Sequence, residues 1–278
     1  MIYGQFACAT GRNIGNEIQS VAAARHLPRV DTLIDQEQLH LLKSSQPVCG
    51  IMNAWFMITP CWPPSPDLRP IFVGFHVTKT SRPLVAQHAE YLKKYEPIGT
   101  RDQGTADFLN SIGVKAEVTY CLTLSLPRRE KEPENGRVFI VDAQDIAIPK
   151  SLVKGSARIT HAVAFVSDAT KLQYAREMLD CYRDRASLVI TTRLHCALPC
   201  IAMGIPVVFF GDPNDYRTRI VADVGGKIYS ERLHDKRAAY GVLGRLMQPV
   251  DWSPRPLDIE HVKQQQTNSV ATRLAQLS

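Results

Sequence analysis

Arg193 and His195 flank Leu194 in a triplet between an apolar, β-branched run at 188–192 and a segment of helical pattern that reaches Met203. Arginine presents a planar fork of donors that matches carboxylate or phosphate. Histidine is the side chain that gains and loses a proton near neutral pH. Together they suit a reaction in which an anion is gripped and a proton moves. The run reads as a buried parallel strand. The triplet then falls at the strand's carboxyl end, where the following helix directs free N–H groups and partial positive charge at a ligand. A further strand at 206–210 follows Gly204 and completes a strand–helix–strand unit. A buried structural histidine is the plainer reading of His195.

Residues 97–107, PIGTRDQGTAD, repeat this logic, with a short strand ending at Thr100 and then Arg101 and Asp102 at the head of a helix. Asp102 fits an N-cap, a role worth about 1 kcal/mol. Arg101 can point across a cleft toward Arg193, giving one ligand two cationic forks; a surface ion pair is the alternative. A third segment, CATGRNIGNEIQS at 8–20, is punctuated by Gly11 and Gly15 and runs into a helix starting near Glu17. Glycines there let backbone approach a ligand closely, and Asn13, Asn16 and Glu17 make the loop polar. The spacing is neither G-x-G-x-x-G nor a P-loop, so dinucleotide binding and nucleotide hydrolysis gain no support.

Glu17 is a candidate base toward an acceptor hydroxyl, although the helix dipole alone favours a carboxylate in a first turn. His76 ends a strand in FVGFHV, Asn53 and Trp55 follow one in MNAWF, and His161 ends another in the second half. All sit where cleft residues would. Trp55 and Trp62 offer flat faces for a sugar or, as is commoner after strands, for the core.

Elements must hold these segments in place. β-branched runs alternate with helical patterns from end to end, which implies an α/β fold with parallel sheets. Strands are expected at 30–35, 48–53, 71–77, 97–100 and 116–121, with helices at 17–26, 84–95 and 102–112. The segment 125–136, SLPRREKEPENG, is Pro-rich, charged and without hydrophobic period, so it reads as a solvated linker. Beyond it come strands at 138–142 and 158–164 and an amphipathic helix at 169–183. The polar stretch 259–277 reads as a helix docked on the outside. The organisation is therefore an N-terminal unit at 1–127, a linker at 128–136, a second unit at 137–255 and a terminal helix at 256–278, with a ligand cleft between the units.

The net charge of +6 over 278 residues suits acidic small molecules, but no basic run with interleaved aromatics points to nucleic acid. The seven cysteines form an odd set without C-x-x-C, as in a reducing compartment. Cys196 and Cys200 lie one helical turn apart beside His195, yet among apolar neighbours they read as small hydrophobes, so no metal is expected. No window approaches the ~18–20 apolar residues that span a bilayer. A cytoplasmic protein is the expectation. Its oligomeric state is not legible.

The blocks N-x-G-N-E-I-Q at the start, P-I-G-x-R-D midway, C-L-T-L after it and T-R-L-H-C-A-L-P-C-x-A-x-G-x-P-V-V late resemble the polysaccharide pyruvyl transferase family over about 10–212. The resemblance implies two Rossmann-like halves arranged as in GT-B glycosyltransferases. It also implies transfer of the enolpyruvyl group of phosphoenolpyruvate onto sugar hydroxyls of a cell-surface glycan or its precursor, forming a pyruvate ketal and releasing phosphate. Phosphoenolpyruvate would be a donor substrate, with no cofactor. The acceptor would be a sugar or a lipid-linked oligosaccharide, the latter compatible with peripheral membrane contact. Arg101, Arg193, Leu194 and His195 would bind the donor, with His195, Arg193 and Glu17 as the catalytic set. His195 would serve as proton donor or phosphate clamp, and Asn13, Asn16, Asn53, Trp55 and His76 would lie on the acceptor side. Asn16 departs from the family pattern, standing where aspartate is common. A GT-B glycosyltransferase using a nucleotide sugar and a non-catalytic glycan-binding relative are the alternatives.

Overall fold

The computed structural model describes residues 1–8, 11–56, 62–164, 166–235 and 249–277; Cys61 lies outside the described residues. Strands β1 Ile2–Ala7, β2 Thr32–Asp35, β3 Val48–Met52 and β4 Leu68–Phe72 form a parallel four-stranded sheet in the order β2-β1-β3-β4. β5 Ile98–Thr100 and β6 Ala116–Val118 pair in parallel beside it. β7 Arg137–Val141, β8 Ala157–Ile159, β9 Ala186–Thr191, β10 Val207–Gly211 and β11 Ile228–Ser230 build a five-stranded parallel sheet, ordered β11-β10-β9-β7-β8. The helices are α1 Gly15–Ala24, α2 Arg82–Gln87, α3 Ala89–Lys93, α4 Gln103–Ser111, α5 Lys150–Val153, α6 Asp168–Arg185, α7 Leu194–Ala202, α8 Ile220–Asp223, α9 Glu231–His234 and α10 Glu260–Ala275. The chain is thus α/β with parallel sheets. None of its described helices is long and apolar enough to cross a membrane.

Continuous apolar runs become central strands here because both faces of the second sheet are covered. Phe139, Val189 and Phe209 pack with α6 and α7 on one face, while Ile140, Leu188, Ile190, Val208 and Phe210 fill the other. The first sheet holds a separate aromatic core around Phe6, Phe56, Phe72 and Phe75.

Several elements differ from the sequence expectation. β1, flanked on both sides in the sheet, has no counterpart among the expected strands because Gly4 and Gln5 break its apolar run. The strand expected at 71–77 ends at Phe72, since Gly74 takes φ +73°. The chain then re-pairs at Phe75, which bridges Thr100 in parallel. The helix expected at 84–95 is interrupted at His88, whose φ of −116° is not helical. The strand expected at 158–164 is only Ala157–Ile159. Beyond it Ala162 bridges Asn13, with Ile14 N–H donating to His161 O at 3.0 Å, so this segment pairs with the glycine loop instead. The 126–136 stretch has no helix or strand. It is less solvated than its composition suggests: Arg129 is buried and donates to Ala186 O at 2.6 Å.

α10 docks on the first sheet's side, where Val270 packs with Cys49, Ile71 and Val73 and Gln266 Nε2 donates to Thr119 O and Cys121 O at 3.0 and 2.9 Å.

Asn53 is a buried clamp in this frame. Its Nδ2 donates to Gln19 O at 3.1 Å, its Oδ1 accepts from Leu122 N–H at 2.9 Å, and its own carbonyl accepts from Gln19 Nε2 at 3.0 Å. Asn53→Ala leaves Leu122 N–H unpaired in the interior and removes the second bond to the helical Gln19 carbonyl, a loss of about 1–3 kcal/mol. Urea unfolding midpoints measure it, and a change under 1 kcal/mol would contradict the clamp.

Candidate active site

His195 owes its pose to a residue four positions later. Pro199 has no N–H to bond the His195 carbonyl, and its ring crowds that carbonyl. His195 accordingly leaves helical geometry, with φ −82° and ψ 16° inside α7. Gly15, at the start of α1, makes room for it. A Cβ there would lie 3.2 Å from His195 Nδ1 and 3.3 Å from Asn13 Oδ1, the latter accepting from Gly15 N–H at 3.0 Å. The glycine loop therefore packs against His195 itself. His195 Nε2 is buried without a hydrogen-bond partner.

The Phe75–Thr100 bridge, with Arg101 N–H donating to Phe75 O at 2.8 Å, sets His76 beside Arg101 and Asp102. Asp102 does two jobs. Its Oδ1 caps α4, accepting from Thr105 N–H and Thr105 Oγ1 at 2.9 Å each, as the capping pattern predicts. Its Oδ2 lies 2.7 Å from His76 Nδ1 and 3.5 Å from Arg101 Nε. All three side chains are buried. An ionised Asp102 accepts only, so His76 carries its proton on Nδ1 and presents Nε2 as a lone pair. That Nε2 and Arg101 Nε have no hydrogen-bond partners. Tyr216 closes this corner, its ring 5.7 Å from that of His76 and its hydroxyl donating to Val77 O at 3.2 Å. Gly104 yields space to the same ring, which a Cβ would meet at 2.6 Å.

Arg193 is oriented by Asp142, Nε to Oδ2 at 2.7 Å, and is 39% exposed as a side chain. Asp142 sits at φ +50°, a strained position of the kind found at functional sites, and its Oδ2 also accepts from His161 N–H at 3.0 Å. His161 Nε2 pairs with Tyr182 Oη at 2.8 Å, leaving Nδ1 buried and unpartnered.

Charge ties these groups into one cluster. Burial, then Arg101, then His161 and His76 push His195 well below the ordinary histidine range. Burial and next the Arg101 charge lower His76 to about 4, with Asp102 opposing them. Both imidazoles are neutral near pH 7. Because the unfolded chain holds His76 at about 6.5, it binds more protons than the folded chain between pH 6.5 and 4. Stability from this group is full above that window and lost as pH falls through it, by about 2 kcal/mol at pH 5. Unfolding free energies at pH 7 and pH 5 should show the drop, and His76→Gln should reduce it. An unchanged pH slope in that variant would refute the assignment.

The structure thus brings His76, Arg101, His161 and His195 together, with Arg193 held on Asp142 and Leu194 packed against the core beside them. The other candidates are engaged in packing and pairing of their own. Glu17 is buried against Lys171, Oε1 to Nζ at 3.2 Å, and burial raises its carboxyl above the ordinary range. Asn13 is exposed and shapes the loop; Asn16 donates to Cys8 Sγ at 3.2 Å. Asn53 is the clamp described above. Trp55 donates to Ser81 Oγ at 3.2 Å, and Trp62 stacks on Phe75 in the core. Sequence reasoning missed Asp142, Tyr216 and the second role of Asp102. Their partners are 51, 139 and 26 residues away, and no local pattern signals such distances.

The family model of polysaccharide pyruvyl transferase matches residues 60–213. The span includes His76, Arg101, Asp102, Asp142, Arg193 and His195, whereas the block with Asn16 precedes it. No curated protein matches the chain. A crystal structure of a functionally uncharacterized protein from Klebsiella pneumoniae subsp. pneumoniae NTUH-K2044 is similar, with 11% identity and a TM-score of 0.50 over 82% of this chain and 93% of that one. At that identity the likeness concerns the fold alone.

Proposed function

Because this chain belongs to the polysaccharide pyruvyl transferase family, we propose that it transfers the enolpyruvyl group of phosphoenolpyruvate to two hydroxyls of a sugar acceptor, giving a pyruvate ketal and phosphate. The observation that carries the reading is the set of buried, unpartnered nitrogens on His76, Arg101, His161 and His195. Orphaned buried groups are costly and call for a missing partner. A carboxylate and a phosphate on one small molecule would supply acceptors for them. Arg101 and Arg193 are the cationic forks of this reading, the second through the terminal amino groups that its Asp142 contact leaves over.

Two acceptor hydroxyls add in turn to C2, the C2–O bond to phosphate breaks, one hydroxyl proton ends on C3 and the other on phosphate. His76 Nε2, held as a lone pair by Asp102, receives the first hydroxyl proton. His76 passes that proton to the departing phosphate. His195 is neutral in the empty site; the field of the bound polyanion restores its basicity, so it takes a proton from solvent on binding, delivers it to C3 and recovers one from the second hydroxyl. The donor set of cations stabilises the charge on the departing phosphate.

We read the two sheets as Rossmann-like halves in a GT-B-like arrangement, 1–127 and 137–255, joined by 128–136, with this donor site in the cleft and the acceptor entering from the His76 side. Calorimetric titration with phosphoenolpyruvate, and with UDP-glucose as competing ligand, tests the function. Saturable binding of phosphoenolpyruvate, weakened at least tenfold in His195→Ala, is expected. Binding of UDP-glucose alone would replace this reading with nucleotide-sugar transfer.

A further inference from the structure

Helix α1 has different surroundings at its two ends. Its first turn sets Gly15 against His195, and its last turn, with Ala24 and the exposed Arg25, borders a cavity of about 390 Å³. Ten residues at about 1.5 Å rise separate the two ends by ~15 Å. The cavity is walled by segments distant in the chain: Gln5 of β1, the stretch 126–127, and α6. Val21, Leu126, Leu179 and Met203 give it an apolar side, and its size is that of sites for small organic molecules.

The charge left uncompensated on its polar side is positive. Gln5 is only 3% exposed. Gln5 Oε1 accepts from Arg176 Nη2 at 3.3 Å, which fixes the amide's orientation, since an amide nitrogen cannot accept from a guanidinium. Gln5 Nε2 is thereby left as a buried donor without a partner. Arg183 and Asp180 also line the cavity but neutralise each other at 2.6 Å, with Asp184 a second partner of Arg183 at 2.7 Å. Among the described residues, Arg25 and Arg176 have no carboxylate at ion-pair distance. An oxygen of a bound anion between Gln5 Nε2 and Arg176 would satisfy the orphan donor and the free cation at once.

The geometry points to a second binding site here, one that takes a small organic acid. Its apolar body lies on Val21, Leu126, Leu179 and Met203, and its carboxylate or sulfonate meets Gln5 and Arg176. The donor proposed above is a compact polyanion without an apolar body and is not the ligand this cavity selects. The site therefore stands or falls separately from the transfer reaction.

Fluorescence titration of the 278-residue chain with 1-anilinonaphthalene-8-sulfonate tests it. One saturable site is expected, weakened tenfold or more in Arg176→Met and in Gln5→Leu. Val30→Trp, which fills the half-exposed mouth, should abolish it. The neutral N-phenyl-1-naphthylamine should bind at least tenfold more weakly, and neither saturating phosphoenolpyruvate nor His195→Ala should change the affinity. Circular dichroism identifies a misfolded variant; should Gln5→Leu fail to fold, Arg25→Met, weakened about threefold, and Val30→Trp decide. Equal affinity for the neutral probe, unchanged affinity in Arg176→Met and Val30→Trp, displacement by phosphoenolpyruvate, or no saturable binding would each overturn the proposal.

Discussion

Arg101→Met should weaken phosphoenolpyruvate binding by two orders of magnitude or more. The guanidinium is 5% exposed and its Nε has no hydrogen-bond partner. Truncating a buried cation that bonds a ligand anion costs about 2–5 kcal/mol of affinity. Its nearest carboxylate, Asp102, lies 3.5 Å from Nε and already serves His76 and the α4 cap. The variant carries a second signature. Arg101 lowers both His76 and His195, so its removal moves both imidazoles back toward the ordinary range. The acid limb of kcat/KM should then shift to higher pH in the variant. Affinity within fivefold of the parent, with an unmoved pH profile, would remove Arg101 from the donor site.

Asp102→Asn should cut turnover by roughly 10³–10⁴ while leaving phosphoenolpyruvate binding within about threefold. The reason is the tautomer. Thr105 N–H and Thr105 Oγ1 both bond Oδ1 at 2.9 Å, and they would keep the asparagine carbonyl at that position. The amide NH₂ would then occupy the place of Oδ2 and donate to His76 Nδ1. His76 would have to carry its proton on Nε2, the nitrogen that the mechanism needs as an acceptor. Because the α4 cap survives, a large fall in stability is not expected. Phosphate release with an acceptor found by screening measures the turnover. A rate within tenfold of the parent would show that His76 is not the base.

These two experiments separate binding from chemistry. Arg101 belongs to the grip on the anion, and Asp102 acts through the orientation of another side chain. Their positions also differ in how visible they are in the sequence. Arg101 was a candidate because it follows a strand and heads a helix. Asp102 is legible only as a cap, since its contact to His76 exists only once Phe75–Thr100 pairing has brought residues 26 apart together.

Local physics is readable where the signal is strong. Apolar runs at 188–192 and 206–210 gave strands because a strand covered on both faces needs no polar side. Pro199 and His195 are four residues apart, one turn of helix, so the kink that frees His195 is written in the chain. The Asp102 cap spans three residues. Where local signals were weak or conflicting, the tertiary structure prevailed. β1 became a central strand despite Gly4 and Gln5, because the neighbouring strands satisfied its backbone on both sides.

What the sequence by itself determined, then, is the alternation of strands and helices, the strand-to-helix turns that carry Arg101 and Arg193, and the displaced backbone at His195. Each depends on residues within about one turn of one another. Only the tertiary structure decided which of the polar candidates share a site. It paired His76 with Asp102 and Arg193 with Asp142, and it turned Glu17 toward Lys171. Such choices rest on packing between distant segments and on the cost of burying a charge without a partner, and neither leaves a mark on sequence spacing.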